Sequence, residues 1–82
     1  MPVIARFYGI VIRMFFREHG VPHFHAEYGE YVGVFTIQTI EMIEGDLPQR
    51  AQRLVRDWAA QHQSELQEIW SSHKFRQLPG LE

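Results

Sequence analysis

Two histidines and a glutamate occupy alternate positions in Pro22-His23-Phe24-His25-Ala26-Glu27-Tyr28, the densest concentration of chemistry-bearing side chains in the sequence. Alternation matters because an extended strand sends successive side chains to opposite faces. His23, His25 and Glu27 then share one face, and Phe24, Ala26 and Tyr28 share the other. Three kinds of chemistry fit such a face. An imidazole can move protons near neutral pH. With Arg13 or Arg17 steadying a phosphate, His25 and His23 would suit general acid–base attack on a phosphodiester. His25, central on its strand, is the first candidate for proton transfer. His-x-His on a strand is also a metal-ligand spacing, so His23, His25 and Glu27, with His19 as a further donor, could hold zinc. The plain alternative is a set of sheet histidines, hydrogen-bonded or paired with Glu27, that tune the pH response of a binding surface.

Composition narrows these choices. The chain has 82 residues, enough for one domain and close to the size at which a core holds without staples. It contains no cysteine, which removes disulfides, thiolate zinc sites and cysteine nucleophiles together. The 45% hydrophobic and 22% charged content is an ordinary globular balance rather than that of a disordered chain. No apolar run is long enough to span a bilayer, so the expectation is a soluble cytoplasmic protein. A net charge of −2 counts against strong nonspecific nucleic-acid binding. All cations but Lys74 are arginine, the side chain suited to bidentate contacts with carboxylate or phosphate. Leu81-Glu82 has the form of a cloning remnant ahead of a purification tag, which leaves residues 1–80 as a single domain.

The elements that must position the histidines follow from periodicity. Residues 1–7 alternate as a first strand, and Tyr8-Gly9 is suited to a turn. From Ile10 the alternation restarts, with Ile10, Ile12, Met14 and Phe16 on one side and Val11, Arg13, Phe15 and Arg17 on the other. A polar loop through His19 and Gly20 leads to the histidine strand, and Gly29-Glu30 closes a hairpin with residues 31–38. That turn pairs Tyr28 with Tyr31, Ala26 with Gly33 and Phe24 with Phe35. A tight turn at Gln38-Thr39 pairs Ile37 with Ile40 and Phe35 with Met42. Aligning Phe16 with Phe24 sets Arg17 opposite His23 and Arg13 opposite Glu27. Each pairing keeps a single apolar face, which supports a five-stranded antiparallel meander.

Asp46 as N-cap and Pro48 in the first turn announce a helix. Leu47, Ala51, Leu54, Val55, Trp58, His62, Leu66, Ile69 and Trp70 recur at steps of three and four. One long helix, packed on the Phe24 face of the sheet, is the expectation. Ser64-Glu65-Leu66-Gln67 has the form of a capping box, so a break or kink near Gln63 is its alternative form. Trp58 and Trp70 belong to the core stripe, and His62 sits on it with a hydrogen bond. His73 falls in the frayed end, and residues 75–80 read as a tail. Arg50, Arg53 and Arg56 read as a solvated face. The fold class is α+β, in two layers.

The face of the sheet turned from the helix carries Phe15, Val32, Val34 and Ile43 beside its charges, more apolar than a solvent-facing sheet surface needs. Those four residues are candidates for contact with a small partner protein or a second copy of the chain, and the histidines and arginines around them for contact with RNA.

The opening Pro2-Val3-Ile4 with Arg6-Phe7-Tyr8-Gly9-Ile10, then Pro22-His23-Phe24-His25-Ala26 with Tyr28, then Ile43-Glu44-Gly45-Asp46-Leu47-Pro48, and finally Trp58, His62 and Trp70 together resemble the bacterial domain of unknown function family 4160. The likeness runs from Met1 to about Trp70. It implies a short stand-alone bacterial protein, often encoded beside a second small protein, in a pair suggested to act as a toxin–antitoxin module. It supplies no catalytic residues.

Overall fold

The computed structural model describes residues 3–15 and 20–81. Five strands, β1 (Val3–Phe7), β2 (Ile10–Arg13), β3 (His23–Tyr28), β4 (Tyr31–Thr36) and β5 (Met42–Gly45), form one antiparallel sheet in the order β1-β2-β3-β4-β5. Two helices follow, α1 (Gln49–Gln61) and α2 (Gln63–Ser72). The core lies between them and one face of the sheet. Ile10, Ile12, Met14, Phe24, Ala26, Phe35 and Ile37 meet Leu47, Ala51, Val55, Trp58, Ala59, Leu66 and Ile69 there, all buried.

Short turns fix register where they occur. Tyr8 and Gly9 both have positive φ, the conformation a two-residue hairpin turn demands, and Phe7 faces Ile10 across it. A bulge between Val3 and Ala5 turns both Ile4 and Ala5 inward. Gly29 takes the positive φ of the next turn, and Tyr28–Tyr31, Ala26–Gly33 and Phe24–Phe35 pair as expected. The β4–β5 turn is wider than the expected Gln38-Thr39 turn. Thr36 donates its N–H to Glu41 O at 3.0 Å, and Ile40, at φ 57°, donates to Thr36 O, leaving residues 37–40 in the loop. Phe35 still faces Met42.

The β2–β3 register differs by two residues from the expected one. Arg13 faces His25 and Val11 faces Glu27, rather than Arg13 facing Glu27. A shift of two keeps every side chain on its own face, so the apolar pattern is equally satisfied by both registers, and the long loop fixes neither. Phe16 and Arg17, on which the other expected pairings rest, lie outside the described residues, as does His19.

The helical layer is two helices, not the one long helix. A straight helix over residues 49–72 would run about 36 Å, longer than the 31 Å greatest extent of the molecule. The chain bends at His62, whose φ of −123° is not helical; its N–H returns to Ala59 O, and Leu66 N–H restarts the ladder on His62 O. The N-cap of α2 is His62, two residues before Ser64, with no side-chain cap, and Glu65 Oε1 stands 2.7 Å from His62 Nδ1. The break lets Leu66 and Ile69 stay on the sheet. Gln63 then anchors α2 by donating from Nε2 to Ile37 O at 2.8 Å and Gln38 O at 2.9 Å. Gln63→Ala is expected to lower stability by about 1–2 kcal/mol in urea denaturation. Gln67→Ala, which removes only a bond to Ser71 within the helix, should be near neutral; equal losses would refute the anchor.

At the start of α1, Asp46 is not the N-cap. Its N–H is donated to Val32 O at 2.9 Å, which holds it at the end of the sheet, and Pro48 occupies the capping position. Residues 77–80 are not a free tail. Leu78 is buried and donates its N–H to Ile4 O at 2.8 Å, while Trp58 Nε1 donates to Pro79 O at 2.8 Å. Leu81 also packs on the core.

Candidate functional site

The face of the sheet opposite the helices holds the candidate residues, brought together by β3 and its neighbours. His25 lies between Arg13 on β2 and Val34 on β4. Its ring meets Phe15 edge-on at 4.5 Å. His23 sits 5.5 Å away, ring to ring. An open pocket of about 320 Å³ lies over this pair, lined by both imidazoles, Val34, Ile43 and Glu44, with Gly20 and Val21 at its rim.

The two histidines differ in surroundings. His25 is half-buried, whereas His23 is buried at 8% exposure. Being the first residue of β3, His23 lies where α2 passes the end of the sheet, and its ring approaches Trp70 at 5.0 Å. Its Nδ1 donates to Val21 O at 2.7 Å. In the neutral ring this puts the lone pair on Nε2. His25 is therefore the more accessible of the two imidazoles for proton transfer, and His23 is held in place by loop and helix.

Arg13 and Glu27 meet although they are not opposite one another. The two-residue register difference makes them diagonal neighbours, and Arg13 Nε stands 3.0 Å from Glu27 Oε2. The N–H does not point along that line, so the contact is a charge pair rather than an aligned hydrogen bond. It engages the guanidinium proposed to steady a phosphate and the carboxylate proposed as a metal ligand. Among the described residues, no three His, Asp or Glu side chains converge as a metal-ligand set; His23, His25 and Glu27 do not form one, and His19 lies outside the described residues.

The candidate contact residues fall around the same pocket. Val34 lines it, Phe15 packs on His25, and Ile43 and Val32 are 55% and 45% exposed. Two residues missed by alternation complete the surface. Val21, 56% exposed, comes from the loop before β3. Glu44 reaches the outer face because the β4–β5 register shifts between Val34 and Phe35, leaving Ile43 as an extra residue and setting Glu44 opposite Val34. The sequence signal for this shift was Gly45, at φ 88°, just after it. Among the described residues lining the pocket, Glu44 is the only Asp or Glu and there is no Arg or Lys.

Of the remaining histidines, His62 is in the helical layer, 5.3 Å from Trp58 and bonded to Glu65, and His73 ends α2 in the left-handed conformation. Among the described residues, no helix is long and apolar enough to cross a membrane. No curated protein and no solved structure matches the chain. The model of the family described as Domain of unknown function (DUF4160) matches residues 9–71, a span from the first hairpin turn through β5 and both helices, and the chain belongs to that family.

Proposed function

We propose that this chain is a protein-binding module of the bacterial cytoplasm that presents the outer face of its sheet, around the pocket at His25 and Ile43, to a second small protein. One observation carries the reading: Val21, Val32 and Ile43 are each close to half exposed or more on or beside one pocket, on a face where an ordinary solvated sheet is polar. Apolar groups rimmed by charge suit an interface. The resemblance to proteins encoded beside a second small protein makes such a partner available.

A second reading makes the chain the RNA-acting member of a toxin–antitoxin-like pair. The closeness of His23 and His25 in one pocket favours it. The engagement of Arg13 by Glu27 and the carboxylate of Glu44 weigh on the other side, because a phosphodiester needs cations where these groups stand.

Site-specific photo-cross-linking in the native cell separates the two. A cross-linker at Val32 or Ile43 is expected to trap one discrete small protein, and one at Gln67, exposed on α2, is not. Val34→Asp should cut that adduct by about tenfold or more. Equal trapping at Gln67, or self-adducts alone, would remove the partner reading. RNA degradation or growth arrest that His25→Ala abolishes, with the adduct unchanged, would favour the RNA reading instead.

A further inference from the structure

The sheet has two edges, and the chain treats them differently. Along β1, Leu78 donates to Ile4 O, and Gly80 comes so near that an added Cβ would stand 2.6 Å from Arg6 O. β5 is the other edge, and among the described residues no strand or tail is paired along its outer side. Ile43, Glu44 and Gly45 are all exposed. Antiparallel pairing alternates between residues that bond to the neighbouring strand and residues that face away. Thr36 N–H donates to Glu41 O, and Asp46 N–H donates to Val32 O, so the two pairs inside them, Phe35–Met42 and Gly33–Gly45, are the ones that do not exchange bonds. The N–H and C=O of Met42 and Gly45 therefore point away from β4, along the open edge.

This edge borders the pocket and is acidic. Glu41, Glu44 and Asp46 are exposed, and residues 41–46 contain no cation. We propose that β5 receives an extended segment of another protein as a sixth strand, one that alternates aliphatic and basic side chains. The main chain of that segment would bond to Met42 and Gly45. An aliphatic side chain would pass over Ile43 toward Val34, and a basic one would meet Glu44. The inference rests on the outer face being a docking surface and supplies its mode and the chemistry of its partner. A second copy does not fit, because β5 against β5 would set these carboxylates against their own equivalents. Bulges and charges also guard edges against aggregation. An exposed isoleucine at the bulge, beside a pocket, is not part of such a guard.

The test uses the full chain, labelled with ¹⁵N, and a capped heptapeptide of alternating valine and arginine. Binding with a Kd below about 1 mM is expected, with the Met42 and Gly45 amides shifted and slowed in hydrogen exchange. Glu44→Arg should weaken it by about tenfold, and a glutamate-for-arginine peptide should not bind. A peptide N-methylated at alternate residues should also fail. Equal binding of the N-methylated peptide, or shifts confined to His25 and Val34, would overturn strand addition while leaving the docking face in place. No binding of the valine–arginine peptide would also overturn it, and cross-linking from Val32 and Ile43 would then decide the docking face separately.

Discussion

Trp58→Ala is expected to remove about 3–5 kcal/mol of folding free energy, set against a total of about 4–12 kcal/mol for a domain of 82 residues. The size follows from the position of the side chain. Trp58 is fully buried, stacks on Phe7 at 5.5 Å, meets Phe24 edge-on at 6.1 Å and has the His62 ring at 5.3 Å. It thus joins β1, β3 and the helix break through one ring system. Its Nε1 also donates to Pro79 O, which holds the segment that closes β1. Trp58→Phe separates the two contributions. It keeps most of the apolar contact and loses the hydrogen bond, for an expected cost of about 1–3 kcal/mol. Hydrogen exchange at Leu78, whose N–H is given to Ile4 O, should accelerate in the phenylalanine variant. A Trp58→Phe protein with native urea midpoint and native Leu78 protection would show that the indole N–H does not hold the segment.

Gly45→Ala carries the second large effect and reaches the candidate site directly. Gly45 has φ 88°, and an added Cβ would stand 2.1 Å from Val32 O and 3.0 Å from Gly33 Cα. Backbone atoms cannot swing aside as a side-chain tip can. The strained φ and the collision together are expected to cost about 2–4 kcal/mol. Relief would come by moving β5 off β4, which breaks the Asp46 bond to Val32 O and displaces Ile43 and Glu44 from the pocket. The native comparison is Gly20, at φ 100° but with no atom of a described residue beyond its chain neighbours within 4 Å of an added Cβ. Gly20→Ala should cost only the backbone strain, about 1–2 kcal/mol. Denaturant titration of both variants checks the difference. Equal costs would mean that the contact with Val32 is not what makes Gly45 necessary. In the docking reading, Gly45→Ala should also lose the adduct at Ile43 under conditions where the remaining chain is folded.

Both variants act on places where the sheet meets something other than a neighbouring strand. Trp58 joins the closed edge to the helices, and Gly45 shapes the open edge next to the pocket. The asymmetry has a physical source. Residues 77–80 run beside the β1 edge and bond to it through Leu78 N–H, whereas among the described residues none pairs along the outer side of β5, which carries a bulge and carboxylates.

Periodicity alone determined the five strands and the faces of the central ones. Steps of two put Phe24, Ala26, Phe35 and Ile37 in the core and His25 and Val34 opposite, because strand side chains alternate regardless of what packs on them. The two-residue turn at Gly29-Glu30 also determined the β3–β4 register, since so short a loop leaves no freedom. Steps of three and four placed Val55, Trp58, Leu66 and Ile69 on the buried side of the helices. Tertiary structure decided what local patterns leave degenerate. The β2–β3 register could slip by two without moving a side chain to the wrong face, so packing chose Arg13 beside His25 and made Arg13–Glu27 a diagonal pair. The helical stripe breaks at His62, where an unbroken helix of about 36 Å would exceed the 31 Å greatest extent of the molecule. His23 is buried because α2 brings Trp70 to the end of β3, a contact separated by many residues in the chain. Glu44 joins the pocket because one extra residue at Ile43 reverses the alternation, and the strand pattern has no local term for a residue that its neighbour leaves unpaired.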